Sequence, residues 1–165
     1  SDKEDIKEEN QSQVAASKAI TILIDENNTL YYFKGKPDGG TDIPDEGKLF
    51  ATTYGKNGLR KVLLESNPQA VKAVQALKDK YARMATSNVQ QEQKQKAQYK
   101  EELNKIKNAE YTPSVIIKAS DKATYDNLIQ VLDEMQICSI GRYVIDKFAD
   151  GDRLKIEALK NGTAQ

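Results

Sequence analysis

Histidine is absent from the 165 residues. That removes the commonest general base near neutral pH, the usual serine and cysteine triads, and the commonest zinc ligand together. Cys138 is the only cysteine, so no intramolecular disulfide and no thiolate metal cluster can form. Between Ile137 and Ile140, it reads as a small buried apolar residue rather than a reactive thiol. Apolar runs reach only three or four residues, far short of the roughly 20 that a membrane-spanning helix needs. Net charge is missing as well: 25 Lys and Arg balance 25 Asp and Glu. Without a long-range positive field, nucleic-acid binding is disfavoured.

What is present describes one modest domain with much solvated surface. The apolar fraction is 38%, the charged fraction 30% and the mean hydropathy −0.70. Residues 1–18 are dominated by Asp, Glu, Lys, Gln and Ser, too few apolar groups to offset the entropy of ordering, and read as a flexible tether. Residues 19–160 read as a single α+β domain, and 161–165 as a disordered tail. Two apolar runs, 20–25 and 29–33, flank Glu26, Asn27 and Asn28. Asn tolerates the left-handed backbone of a tight turn, so a hairpin is expected. Residues 35–47 carry Pro37, Gly39, Gly40, Pro44 and Gly47 and read as a loop. No Gly-Lys-Ser/Thr ending makes it a phosphate loop.

Residues 56–110 read as a helical insertion. Leu59, Val62 and Leu63 form a short stripe, and Pro68 opens a helix striped by Val71, Val74, Leu77, Tyr81 and Met84. Beyond Ser87-Asn88 a Gln- and Lys-rich helix keeps only the weak stripe Tyr99, Leu103, Ile106. Two antiparallel helices packed on the 71–84 and 99–106 stripes are expected, with the Gln/Lys face in water.

The most informative stretch is Val115-Ile116-Ile117-Lys118-Ala119-Ser120-Asp121-Lys122-Ala123-Thr124-Tyr125, continuing through Leu128, Ile129, Leu132 and Met135. A β-branched run after Pro113 predicts a strand, and the spacing of threes and fours from Tyr125 predicts a helix lying on its own sheet. Asp121 and Lys122 fit helix capping, and Tyr125 is expected to pack its ring under the sheet with its hydroxyl at the rim. Asp126, Gln130 and Asp133 share a polar face rather than forming a catalytic acid pair. Arg142, Tyr143, Val144, Ile145, Asp146, Lys147 and Phe148 predict a second strand, followed by a helix-prone tail from Asp152 to Lys160. Strand, helix and strand over 113–148 make a βαβ unit. With the hairpin it gives a small mixed β-sheet with helices packed on one face, plus the long helical insertion.

The order Lys118-Ala119, an acid, Tyr125, the Val131-Leu132-Asp133 helix and Ile140-Gly141-Arg142-Tyr143-Val144 resembles the periplasmic domain of the ExbD/TolR family. The run Ile20–Asp25 followed by Asn27-Asn28 and Leu30-Tyr31-Tyr32-Phe33 is similar to that family's opening hairpin. Ala119, Asp121, Lys122, Tyr125 and Asp133 are the residues that carry the motif. Better-known members place Asp directly after the Ala, where this chain has Ser120. The resemblance implies the periplasmic part of an inner-membrane protein of the Gram-negative envelope, anchored by a helix upstream of Ser1. It implies a homodimer that couples proton motive force, through an ExbB-like channel subunit, to a TonB-like protein. A TolR-like scaffold binding envelope or peptidoglycan, without force transduction, is the alternative. No enzymatic activity, catalytic residue, cofactor or metal is expected. Function is assigned instead to the edge strand 142–148, whose unpaired main chain can template a second copy or an extended peptide.

Overall fold

The computed structural model describes residues 18–162. The expected tether, apart from Lys18, and residues 163–165 of the expected tail lie outside the described residues. Strands β1 (Ala19–Ile24), β2 (Leu30–Lys34), β3 (Phe50–Thr52), β4 (Ser114–Ala119) and β5 (Tyr143–Lys147) form one sheet in the order β3-β2-β1-β4-β5. Pairing is antiparallel for β1 with β2 and for β2 with β3, and parallel for β1 with β4 and for β4 with β5. The sheet is mixed, as expected.

The opening hairpin closes through Asn27 and Asn28 at φ 57° and 58°, with Thr29 N–H donating to Glu26 O at 3.1 Å. Two successive left-handed residues define a type I′ turn, whose twist matches that of the flanking strands. β3 was not anticipated. It is three residues long, too short to show a period in sequence, and Phe50 secures it by stacking on Tyr32 at 5.5 Å. The 35–47 stretch is the loop expected of it. It is drawn together by Glu46, which accepts from Lys36 N at 2.9 Å, from Thr41 N at 2.7 Å and from the Thr41 hydroxyl.

Five helices follow among the described residues: α1 (Leu59–Glu65), α2 (Pro68–Arg83), α3 (Val89–Lys107), α4 (Tyr125–Ile137) and α5 (Asp150–Lys160). One sheet face, presenting Ile20, Ile22, Ile24, Val115 and Ile117, is covered by Leu59 and Leu63 of α1 and by Val131 and Met135 of α4. The opposite face, with Leu23, Tyr31 and Phe33, packs on Leu49 and on Ile156 of α5. Helices on one face thus describe α1 and α4 correctly, but the C-terminal helix, read only as a tail, covers the other face. Its burial is carried by Ile156, with Leu159 partly buried beside it, too little for sequence to assign it a layer.

Helix α4 begins later and faces differently than expected. Thr124 is its N-cap, in a capping box with Asn127, so Asp121 does not cap it and sits exposed in the preceding turn. Tyr125, as the first helical residue, points away and is 77% exposed, which corrects the expectation that its ring lies under the sheet. The buried stripe runs through Asn127, Val131, Glu134, Met135 and Cys138 instead. Asp126, Gln130 and Asp133 form the solvated face expected of them, with Gln130 donating to Asp126 at 2.8 Å.

The insertion is an antiparallel hairpin of α2 and α3. Tyr81 meets Tyr99 edge to face at 5.4 Å, and Lys80 reaches Glu102 at 3.0 Å. Its inner stripe is Ala70, Leu77 and Tyr81, whereas Val71 and Met84 are exposed. α3 buries no residue.

The buried face of β4 and the exposed start of α4 define opposite expectations. Ile117→Ala deletes fully buried atoms and should cost about 2–5 kcal/mol, whereas Tyr125→Ala should change stability by less than about 0.5 kcal/mol. Urea unfolding of the two variants checks both.

Candidate functional site: an uncovered sheet edge and its ionic clasp

β5 is the outer strand of the sheet, and all five of its residues are exposed. Neither covering layer reaches it: Tyr143 is 42% exposed, Val144 57% and Ile145 57%. Val115 N–H donates to Arg142 O at 2.9 Å. By the alternation of a parallel ladder, even-numbered residues turn their main chain to β4, while Tyr143, Ile145 and Lys147 turn theirs outward. Asp146 Oδ1 accepts from Lys147 N–H at 2.8 Å. That bond closes the C-terminal end of the edge and leaves the outward amides and carbonyls of Tyr143 and Ile145 as its open ladder positions. Ile137, at the end of α4, is also half exposed.

The ends of the predicted segment serve differently. Arg142 precedes β5, and its guanidinium turns inward to Thr112 O at 2.5 Å and Glu110 O at 3.4 Å. It anchors the strand's start. Phe148 follows β5 and packs against the α5 cluster, with Arg153 5.0 Å above its ring. Between these anchors, Gly141 N–H donates to Lys107 O at 2.9 Å. A Cβ at Gly141 would lie 2.9 Å from Asn108 Oδ1 and 3.0 Å from Lys107 Cβ, so a larger residue would have to push these side chains aside for β5 to begin this close to α3.

Sequence reasoning missed the ionic clasp behind the edge. Asp25, at the end of β1, is wholly buried and accepts from Arg153 Nη1 at 2.7 Å, Arg153 Nη2 at 2.9 Å and Ser120 Oγ at 2.7 Å. The Arg153 guanidinium, and then the Ser120 hydroxyl, hold this carboxyl well below the usual carboxylate range despite its burial. Ser120 therefore fills the place beside Ala119 with a donor that ties β4 to β1. Nearby, Lys118 of β4 bonds Asp152 of α5 at 3.1 Å, and Lys122 approaches Glu26 at 3.7 Å. The available signal was an acid closing an otherwise apolar strand, where solvent exposure would have been the default.

A fourth ion pair sits on the other face. Glu134 is nearly buried and takes both arms of Arg60 at 2.9 Å. The adjoining Cys138 thiol is pushed up to about 12 by burial and by Glu134, in accord with its reading as a buried apolar group. Ala119 ends β4 partly buried against the core. Among the motif residues, the structure thus brings Ala119 to the core, while Asp121, Lys122, Tyr125 and Asp133 stay on the surface. No group of acidic and cysteine residues among the described ones is arranged to hold a metal, and no helix among them is long and apolar enough to cross a membrane.

A protein-family model described as Biopolymer transport protein ExbD/TolR matches residues 5–149. No curated protein and no solved structure gives a significant match.

The depressed Asp25 carboxyl adds stability at neutral pH that fades as the pH falls below the unfolded carboxylate value of about 4. Asp25→Asn should remove this part of the acid sensitivity, measured as the change in urea midpoint between neutral and acidic buffer. Arg153→Met, which strands the buried charge, should cost about 3 kcal/mol, the low end for a broken buried pair because Arg153 is itself partly exposed.

Proposed function

The chain belongs to the ExbD/TolR family of biopolymer transport proteins, and from that premise we propose that this domain relays proton-driven energy to a TonB-like partner through β5. Members of the family are anchored in the inner membrane with a periplasmic domain, form dimers and work with ExbB/TolQ and TonB/TolA partners. In this reading the chain supplies the periplasmic module, and contact replaces chemistry: it has no reaction of its own and no cofactor.

The observation that carries the proposal is the exposure of Tyr143, Val144 and Ile145 on both faces of an outer strand. A long apolar edge left bare invites uncontrolled pairing, so natural sheets blunt or cover it unless a partner does so. Here the blunting is confined to Asp146 and Lys147 at one end. An extended segment can add to Tyr143 and Ile145 by main-chain hydrogen bonds and set its alternate side chains against the strand's apolar ones. A second copy and a TonB-like segment would compete for the same edge, which makes dimerisation and partner engagement mutually exclusive there. The TolR-like scaffold reading instead places binding on the α2–α3 hairpin and leaves this strand without a use.

Ile145→Pro removes an outward N–H while sparing the ladder to β4, a place where a sheet edge tolerates proline. It should abolish concentration-dependent dimerisation by light scattering and protection of the 143–147 amides by a TonB-like periplasmic segment, with the melting transition retained. Undiminished dimer mass and protection in this variant would refute edge pairing.

A further inference from the structure

The α2–α3 hairpin concentrates charge that the chain as a whole lacks. Between Pro68 and Lys107 stand nine basic and four acidic side chains, hence +5 in a chain whose net charge is zero. Within the hairpin, Lys80 pairs with Glu102 and Lys96 with Glu92. Lys72, Lys78, Arg83, Lys94, Lys100 and Lys105 are exposed and make no ion pair among the described residues. The arm is about 28 Å long, from 19 residues of α3 at helical rise, which carries its tip well past a physiological screening length of about 8 Å from the base. At the tip, where α2 gives way to α3, Met84 is 36% and Val89 65% exposed.

We infer that this hairpin is an electrostatic arm that docks on the anionic headgroups of a phospholipid bilayer. Six cations outside any ion pair among the described residues, outnumbering the remaining acids Asp79 and Glu101 and spread along two helices without a cavity on which they converge, suit a fluid surface of many equivalent charges rather than one shaped anion. Exposed Val89 and Met84 at the tip are the groups that can enter the boundary between headgroups and acyl chains once the cations have brought the arm down. The family's inner-membrane anchorage puts such a surface within reach of the domain. The inference does not use β5 and stands or falls separately from edge pairing. Because Gly141 is hydrogen-bonded to Lys107 at the arm's base, docking would also restrict how β5 is oriented relative to the bilayer.

Co-sedimentation of the 165-residue chain with vesicles of phosphatidylethanolamine containing a minority of phosphatidylglycerol, against pure phosphatidylcholine vesicles, tests this. Binding is expected only to the anionic vesicles and should decline steeply with added salt. Each exposed lysine neutralised should weaken it about fivefold, so Lys78→Gln, Lys94→Gln and Lys100→Gln together should weaken it about a hundredfold. Val89→Ser should weaken it less while leaving the salt dependence intact. Far-UV circular dichroism of each variant confirms that the helices persist. Equal binding to both vesicle types, binding insensitive to the triple substitution, or retention by purified peptidoglycan but not by vesicles would overturn the inference. So would a salt-sensitive rise in mass without vesicles, lost in the triple variant, which would assign the arm to the acidic loop of Asp38, Asp42, Asp45 and Glu46 in a second copy.

Discussion

A single carboxylate removed from water holds the architecture in register. Asp25 closes β1, Ser120 follows β4, and Arg153 lies on α5, so three elements distant in sequence meet at one buried charge. A buried ion tolerates no loose arrangement, because losing a partner leaves it stranded in a poor solvent for charge. The hydrophobic layers supply most of the favourable free energy, but they are forgiving of small slips. The clasp is not. It fixes where α5 begins, and with it the layer that seals Leu23, Tyr31 and Phe33.

With both faces of β1, β2 and β4 sealed, β5 remains, among the described residues, the only long strand outside the covering layers. It is fully paired to β4 through five residue positions, so it is ordered, and exposed at each of them, so it is available. Order without cover is what a docking strand needs, since pairing with it does not first require the cost of straightening the chain. Arg142 and Gly141 hold its start and Phe148 its end, leaving the intervening residues to face outward.

Much of this was legible in the sequence. The hairpin around Asn27 and Asn28, the β4-α4-β5 unit, the helical insertion and the edge strand itself all follow from spacing and turn chemistry, because each is a local pattern repeated over several residues. What escaped was set by tertiary choice. β3 has three residues and no period of its own. Tyr125 satisfies the helical spacing as well as Val131 does, but as the first residue after the Thr124 N-cap it stands at the exposed end of α4, while Leu128 and Leu132 of the same stripe pack on the core. Asp25 and Arg153 lie 128 positions apart, so nothing local in either announces the other. Of the expected edge residues, Tyr143 to Lys147 form β5, while Arg142 and Phe148 prove to be its fasteners.

The central place of β1 has a mechanical corollary. It begins at Ala19 and is flanked along its whole length by β2 on one side and β4 on the other. Tension arriving from the preceding chain therefore runs along the strand axis and loads two rows of hydrogen bonds in shear, all bearing at once, rather than peeling a border strand one bond at a time. A strand so placed can transmit a pull into the body of the sheet while the outermost strand stays seated for whatever it holds.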